Sequence, residues 1–195
     1  MTIYKFVIHF SIFVFLINCK PVQKKTNSTP STTNSELAGK LWKIDSTWSN
    51  MIESDDSKIE NLNRLTKELQ LINGGNEAAL VEIQKKVSGL ATYRYDRISL
   101  SKPNAIDRYD SATNVIISEI KREATANPNA IRYQIINQLL SEIQNADDSV
   151  LFYRKDYDRT IDVYNAFLKK NTRDLKRSYP EFDSLRTYPV FRYIQ

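Results

Sequence analysis

The sequence predicts an all-α fold: an elongated antiparallel bundle of about four helices, ending in one very long C-terminal helix. Three observations predict it. Glycine is rare: Gly39, Gly74, Gly75 and Gly89 are the only four in 195 residues, so few positions invite turn geometry. From Glu36 onward apolar residues recur at intervals of three and four, the helical period, and no strand-like alternation is sustained. The stretch from Ala130 to Tyr179 holds neither Gly nor Pro over 50 residues, about 75 Å of helix if unbroken.

The chain begins with a different kind of segment. Lys5 supplies a positive start, and Phe6 to Phe15 is apolar except for His9 and Ser11. Leu16-Ile17-Asn18-Cys19 follows, and then the polar run Lys20 to Ser35. The apolar run falls well short of the roughly 20 residues that span a bilayer. It resembles a bacterial lipoprotein signal with its lipobox, residues 1–18 being the signal peptide and Cys19 the lipid-attachment residue, acylated (palmitate) at its thiol and new amino group. Asn18 is larger than the small residue usual before such a cysteine. An ordinary signal peptide and a short uncleaved anchor are the rival readings. Cys19 is the only cysteine, so it has no internal disulfide partner. Several acyl chains on one residue anchor stably, where a single chain binds marginally.

Residues 20–35, KPVQKKTNSTPSTTNS, contain Val22 as their one apolar residue. Such a segment buries too little surface to offset its ordering entropy, so residues 19–35 are expected to form a disordered tether. The helical domain is then 36–195.

Its first helix is expected from about Ser35 to Ile72. Leu37, Leu41, Ile44, Trp48 and Met51 or Ile52 form one stripe, and Leu62, Leu65, Leu69 and Ile72 another. The polar run Glu53 to Lys58 between them reads as a register shift or a kink. Asn73-Gly74-Gly75 suits a helix stop. A second helix starts at Asn76 as cap, with Leu80, Ile83, Val87 and Leu90 on one face, and fades around Leu100. Ser101 to Asn104 breaks it. A third runs from Ala105 to Ala126, and Asn127-Pro128-Asn129 breaks that one. In the fourth segment Ile136, Ile143, Val150, Tyr157 and Tyr164 recur every seven residues, the seam of a helix packed against antiparallel neighbours. Val150 is therefore expected in the core. The tail after Tyr179 is aromatic-rich, with Phe182, Tyr188, Phe191 and Tyr193. It reads either as a segment folded back on the bundle or as an exposed docking peptide.

Composition narrows the chemistry. Residues 1–18 hold one Lys, the only His and no acid, so the remainder carries 27 basic and 23 acidic residues, a formal charge of +4. Without a histidine or a free thiol, Ser-His-Asp and Cys-His catalysis and Cys/His zinc sites are excluded from the processed chain. Carboxylates, Lys and Tyr are left for proton transfer. The charges are mixed rather than blocked, which fits solvated helix faces and not nucleic-acid binding. Glu53, Asp55 and Asp56 lack the glycine of a calcium loop, and Lys58 falls among the ligand positions. No nucleotide motif and no cofactor site is found.

The stretch Phe152-Tyr153-Arg154-Lys155-Asp156-Tyr157-Asp158-Arg159-Thr160-Ile161-Asp162-Val163-Tyr164-Asn165 resembles the signature of the LemA family. That signature has paired basic residues, an Asp-Tyr-Asn step, and a Tyr-Asn step seven residues on. Asn127-Pro128-Asn129-Ala130, Leu139-Leu140, Glu142-Ile143 and Asn145 sit where the family has an Asn-containing loop and a helix start. Trp48, Ile59, Asn61 and Leu62 match motifs of its first helix. Glu60 replaces a proline, Asp158 replaces the usual Asn, and Tyr153 stands where an aliphatic or Arg is common. The resemblance spans about residues 36–182. It implies a membrane-tethered, all-helical protein with no established enzymatic activity. It also marks Arg154, Asp156, Tyr157, Tyr164 and Asn165 as a family-motif surface. The helical spacing reads Tyr157 and Tyr164 as core aromatics and Arg154 with Asp158 as a surface ion pair.

The expected function is a non-catalytic scaffold or adaptor of the bacterial cell envelope, anchored through its lipid and acting on an envelope protein partner. The expected contact surfaces are the loops Asn73 to Asn76 and Asn127 to Asn129 and the tail after Tyr179. The alternative is a carboxylate-dependent hydrolase acting on envelope material, which requires two acids facing one pocket.

Overall fold

The computed structural model describes residues 30–102 and 104–191. The expected signal, Cys19 and most of the tether lie outside the described residues, as do Pro103 and the last four residues. Among the described residues the fold is all-α with no strand. It has four helices: α1 (Pro30–Leu71), α2 (Glu77–Gly89), α3 (Ala105–Ala126) and α4 (Gln134–Ser178). The long C-terminal helix is therefore present, at 45 residues or about 68 Å. Among the described residues no helix is long and apolar enough to cross a membrane.

Helices α1 and α4 run antiparallel along most of their length. At one end Asn34 donates to the Ser178 carbonyl at 2.9 Å and accepts from the Ser178 hydroxyl at 3.0 Å. Near the middle Lys58 meets Asp147 at 3.5 Å. Leu37, Ile44, Met51, Leu62, Leu65 and Leu69 of α1 are buried with Ile136, Leu139, Ile143, Tyr157, Ile161, Tyr164 and Leu175 of α4. The first end explains where α1 starts. Residues 30–35, expected in the tether, are helical because Thr33 is buried and Asn34 is tied to α4. Pro30 suits a first helical position, where its missing N–H costs no bond.

Glu53 to Lys58 does not break α1, which is continuous from Pro30 to Leu71. Its charges have partners on other elements. Asp55 and Asp56 pair with Arg94 and Lys58 with Asp147, so a polar stretch sits in the middle of the packing.

At the far end Gly74 adopts φ +93°, a conformation that L side chains rarely take. The Asn76 side chain caps α2, accepting from the Ala79 amide at 3.2 Å. The Asn129 side-chain Nδ2 donates to the Asn73 carbonyl at 3.0 Å, so the two expected contact loops are joined to each other. Asn127 is buried there, its Oδ1 accepting from the Asn129 amide.

Helix α2 ends at Gly89, well short of the Leu100 that the apolar spacing suggests. Two single 3-10 turns, Leu90–Thr92 and Ser99–Ser101, flank an irregular segment. Asp96 and Ser99 bond each other reciprocally: Ser99 N donates to Asp96 Oδ1 at 2.6 Å, and Asp96 N donates to Ser99 Oγ at 2.7 Å. Side chains that satisfy local backbone in this way compete with helix. The segment turns Tyr95 and Leu100 inward.

The chain between α2 and α3 divides the molecule. Toward the Asn73 end, α2 and α3 cover the α1–α4 pair, as Lys86–Glu119 at 2.6 Å and Gln84–Asn63 at 2.7 Å mark. Toward the Pro30 end, α1 and α4 are joined by the tail, which folds back through a 3-10 turn at Phe182–Ser184 and continues extended to Phe191.

Val150 departs from expectation. It is half-buried, because its neighbours Met51, Ile52 and Tyr153 share the spot with the polar Asp55 and Lys58. The other seam positions, Ile136, Ile143, Tyr157 and Tyr164, are buried. Ile143→Ala should therefore cost about 2–5 kcal/mol in urea denaturation followed by circular dichroism. Val150→Ala should cost clearly less, and Lys169→Asp on the exposed face should stay within about 0.5 kcal/mol. Equal losses at Ile143 and Val150 would contradict this packing.

Candidate functional site

The centre of the bundle holds a chain of charges and aromatic rings, and α4 supplies its hub. Arg154 is 2% exposed. Its guanidinium grips Asp110 of α3 with two bonds, Nη1 to Oδ2 at 2.7 Å and Nη2 to Oδ1 at 2.5 Å. Nε and Nη2 also donate to the Tyr95 hydroxyl at 3.2 and 3.0 Å. Forked geometry of this kind suits arginine, whose planar donors match a carboxylate.

A second cluster lies beside it. The Tyr109 hydroxyl donates to Asp55, and Arg94 bridges Asp55 at 3.1 Å and Asp56 at 2.7 Å. Lys58, 4% exposed, reaches Asp55 at 3.4 Å. A cleft of about 340 Å³ opens near both clusters, lined by Lys58, Asp110, Asn114, Asp147, Asp148 and Arg154.

Aromatic rings cover the hub on the Pro30 side. Phe191 from the tail is seated among Trp48, Tyr95 and Tyr157, with ring centroids 6.5, 5.6 and 5.7 Å away. The Arg154 guanidinium lies 5.3 Å from the Phe191 ring and 5.5 Å from the Tyr95 ring. The Phe191 amide donates to Asp158 at 2.8 Å. Further along, Tyr188 packs against Tyr164 at 5.6 Å. Beside the tail lies a cleft of about 430 Å³ lined by Arg97, Ile98, Ser101, Arg186, Thr187, Tyr188 and Pro189.

The residues marked by the family resemblance divide between two faces. Arg154, Tyr157 and Tyr164 lie on the buried face of α4, and Tyr157 and Tyr164 are core aromatics. Asp156 is half-buried in a shallow depression with Lys40, Lys43 and Arg159. Asn165 is half-buried, and its Oδ1 has no hydrogen-bond partner among the described residues. The reading of Arg154 as half of a surface ion pair is corrected: the side chain points inward, because Asp110 and Tyr95 receive its donors across the bundle. Asp158 meets the tail. Trp48 is half-buried against the core, whereas Trp42 is 68% exposed.

Sequence reasoning missed Tyr95, Asp110, Asp55 and Arg94. The run Tyr93-Arg94-Tyr95-Asp96-Arg97 was a signal of mixed aromatic and basic character, but spacing alone assigns it no partner.

Burial sets the ionisation of the tyrosines. The hydroxyls of Tyr95, Tyr157 and Tyr164 are each pushed up to about 12, chiefly by removal from water. Arg154 partly opposes this at Tyr95. Tyr109 is also raised, by burial and then by the charge of Asp55.

Comparison with protein-family models, curated proteins and solved structures finds no match.

The tyrosine shifts predict an alkaline limit. The folded state keeps these protons beyond the point where the unfolded chain, near pH 10, releases them. Their contribution is complete below about pH 10 and is lost as pH rises toward 12. Urea midpoints should fall steeply between pH 9.5 and about 12, and the double variant Tyr157→Phe, Tyr164→Phe should lose less over that window. Tyrosinate absorbance rising near pH 10 for every tyrosine, with helix intact, would contradict the burial.

Proposed function

We propose that the protein is a non-catalytic adaptor of the bacterial cell envelope, held to a membrane by lipid on Cys19 and acting by binding a protein partner. We also propose LemA-family membership, on the motif residues 152–165 and the long antiparallel helices.

One observation carries the binding reading: the ionisable groups at the centre are committed to one another. Asp110 is doubly bonded to Arg154, Asp55 is shared by Lys58, Arg94 and Tyr109, and Asp147 meets Lys58. A general acid or base has to give up its proton partner during turnover, and groups locked in structural pairs are poorly placed for that. Large apolar side chains stand exposed on the long helices, Trp42 on α1 and Leu151, Phe152 and Val163 on α4, and they offer contact area to a partner.

The cleft with Asp110, Asp147 and Asp148 favours a second reading, the carboxylate-dependent hydrolase of envelope material. Asp147 and Asp148 face it, and Asp148 accepts only from Gln144 among the bonds formed by the described residues.

Two variants in intact cells test the proposal. Cys19→Ser should release the protein from membranes or leave it unprocessed, and unchanged retention with unchanged processing would refute lipidation. Crosslinking from intact cells should capture a defined protein complex that Phe152→Asp abolishes while helicity is kept. Loss of a hydrolytic turnover in Asp147→Asn and Asp148→Asn, with folding preserved, would replace the adaptor by the enzyme.

A further inference from the structure

The tail is an imperfect fit to the groove it occupies. Its aromatic anchor is well seated: Phe191 is 6% exposed in its cage of rings. Its backbone, however, makes only one bond to the bundle among the described residues, Phe191 N to Asp158. Beneath it the hydroxyls of Tyr157 and Tyr164 are buried without a hydrogen-bond partner among the described residues. A buried hydroxyl left unpaired carries its full desolvation cost, so this occupant forfeits stabilisation that another could gain.

The charges mismatch as well. Arg97 and Arg186 line the same cleft, one from the bundle and one from the tail. Arg97 spends one nitrogen on Asp45 at 2.7 Å, and Asp45 is itself largely exposed. Arg97 lines the cleft that holds Tyr188, and the two unpaired tyrosine hydroxyls lie within electrostatic reach of that place. Tyr188 lies against Tyr164 and bears electrostatically on both orphan hydroxyls. An acidic side chain at that place would face Arg97 and bring an acceptor toward the unpaired hydroxyls. The aromatic anchor sits three residues further along, at 191.

We propose that the groove formed by Trp48, Tyr95, Arg97, Tyr157 and Tyr164 receives an extended peptide of a partner protein carrying an acidic residue three positions before an aromatic one, and that residues 185–191 are the resident occupant this peptide displaces. An extended occupant held by side-chain packing, with one backbone bond to the bundle among the described residues, can be exchanged for a peptide that adds polar contacts, and intramolecular attachment helps keep it in place. The inference rests on the binding reading above and names the site and the partner chemistry for it.

The test uses the full chain with Phe191→Ala, which empties the cage, and Phe191→Leu in parallel, which keeps apolar volume if the alanine variant loses helicity. The probes are labelled synthetic peptides of residues 184–195: the native sequence, Tyr188→Glu, Tyr188→Lys, and Tyr188→Glu with Phe191→Ala. Binding is read by fluorescence anisotropy. The Tyr188→Glu peptide should bind about tenfold or more tighter than the native one, as charge-assisted bonds to a buried site allow. The Lys peptide and the peptide lacking Phe191 should bind weakly, and the wild-type chain should bind every probe less well than its variants. Arg97→Gln in the protein should remove the advantage of the Glu peptide. Four results would overturn the proposal: no saturable binding, equal binding of Glu and Lys peptides, equal binding by wild type and variants, or tail-exchanged dimers that the Glu peptide fails to compete. A crosslinked complex retained in cells despite such a result would overturn the groove alone and leave the adaptor reading standing.

Discussion

A cation buried at the centre of a helical bundle has to be matched, and the match at Arg154 organises this molecule. An arginine that is 2% exposed loses the water that would otherwise solvate it. It recovers the loss through a forked bond to Asp110 and two donations to Tyr95. Those acceptors come from different segments, α3 and the irregular chain after α2. One side chain of α4 thereby fixes where α3 begins relative to the long pair and which way the 93–98 segment turns. Removing one partner of such a pair is costly because the other is left buried and uncompensated. The same guanidinium lies over the rings of Tyr95 and Phe191, so the tail is referenced to it as well.

This constraint separates two regimes along the long axis. Between the centre and the Asn73 end, four helices enclose an aliphatic core of Leu65, Leu69, Leu80, Ile83, Ile120, Ile136 and Leu139. Asn127, Asn129, Asn73 and Gly74 close that end with hydrogen bonds and one positive-φ turn. Between the centre and the Pro30 end the two long helices are covered by the tail and by Arg97 and Ile98 of the segment after α2, and Leu37, Ile44, Ile161 and Leu175 are joined there by the rings of Trp48, Tyr157, Tyr164 and Phe191. Rings there present edges and hydroxyls as well as apolar faces. In that half the cover is an extended segment with a cleft beside it and the unpaired hydroxyls of Tyr157 and Tyr164 beneath it, features of a surface that can exchange partners. The adaptor reading places recognition there, while the four-helix half supplies stability.

The helices were legible in the sequence because periodicity reports one face of one element at a time. Leu37, Ile44, Leu62, Leu65 and Leu69 on α1, and Ile136, Ile143, Tyr157 and Tyr164 on α4, are buried as their spacing implies. α3 matches its expected bounds because Asn104 and Asn127-Pro128 punctuate it. What failed was everything set by a partner elsewhere in the chain. Val150 has the right register but meets polar neighbours. Lys58 falls in a polar run that reads as a register shift or a kink, and it is buried between Asp55 and Asp147. α2 stops early because the Asp96–Ser99 turn and inward Tyr95 outweigh an apolar spacing that continues to Leu100. Arg154 has Asp158 four residues away, so local spacing suggests a surface pair, and only the tertiary fold reveals Asp110. The candidate site was half legible: Tyr157 and Tyr164 were placed in the core, but the groove needs Tyr95, Arg97 and the tail, which no spacing rule joins.

A double-mutant cycle between Arg154 and Asp110 tests most directly whether this buried pair is the organising contact. Urea denaturation of wild type, Arg154→Met, Asp110→Asn and the double variant gives the coupling energy, with Trp48 fluorescence reporting whether the aromatic cage stays closed. The account predicts that the double variant is more stable than the sum of the single losses implies, by about 1 kcal/mol or more, and that Arg154→Met opens the cage. Losses that add within about 0.5 kcal/mol, with Trp48 unchanged, would contradict it.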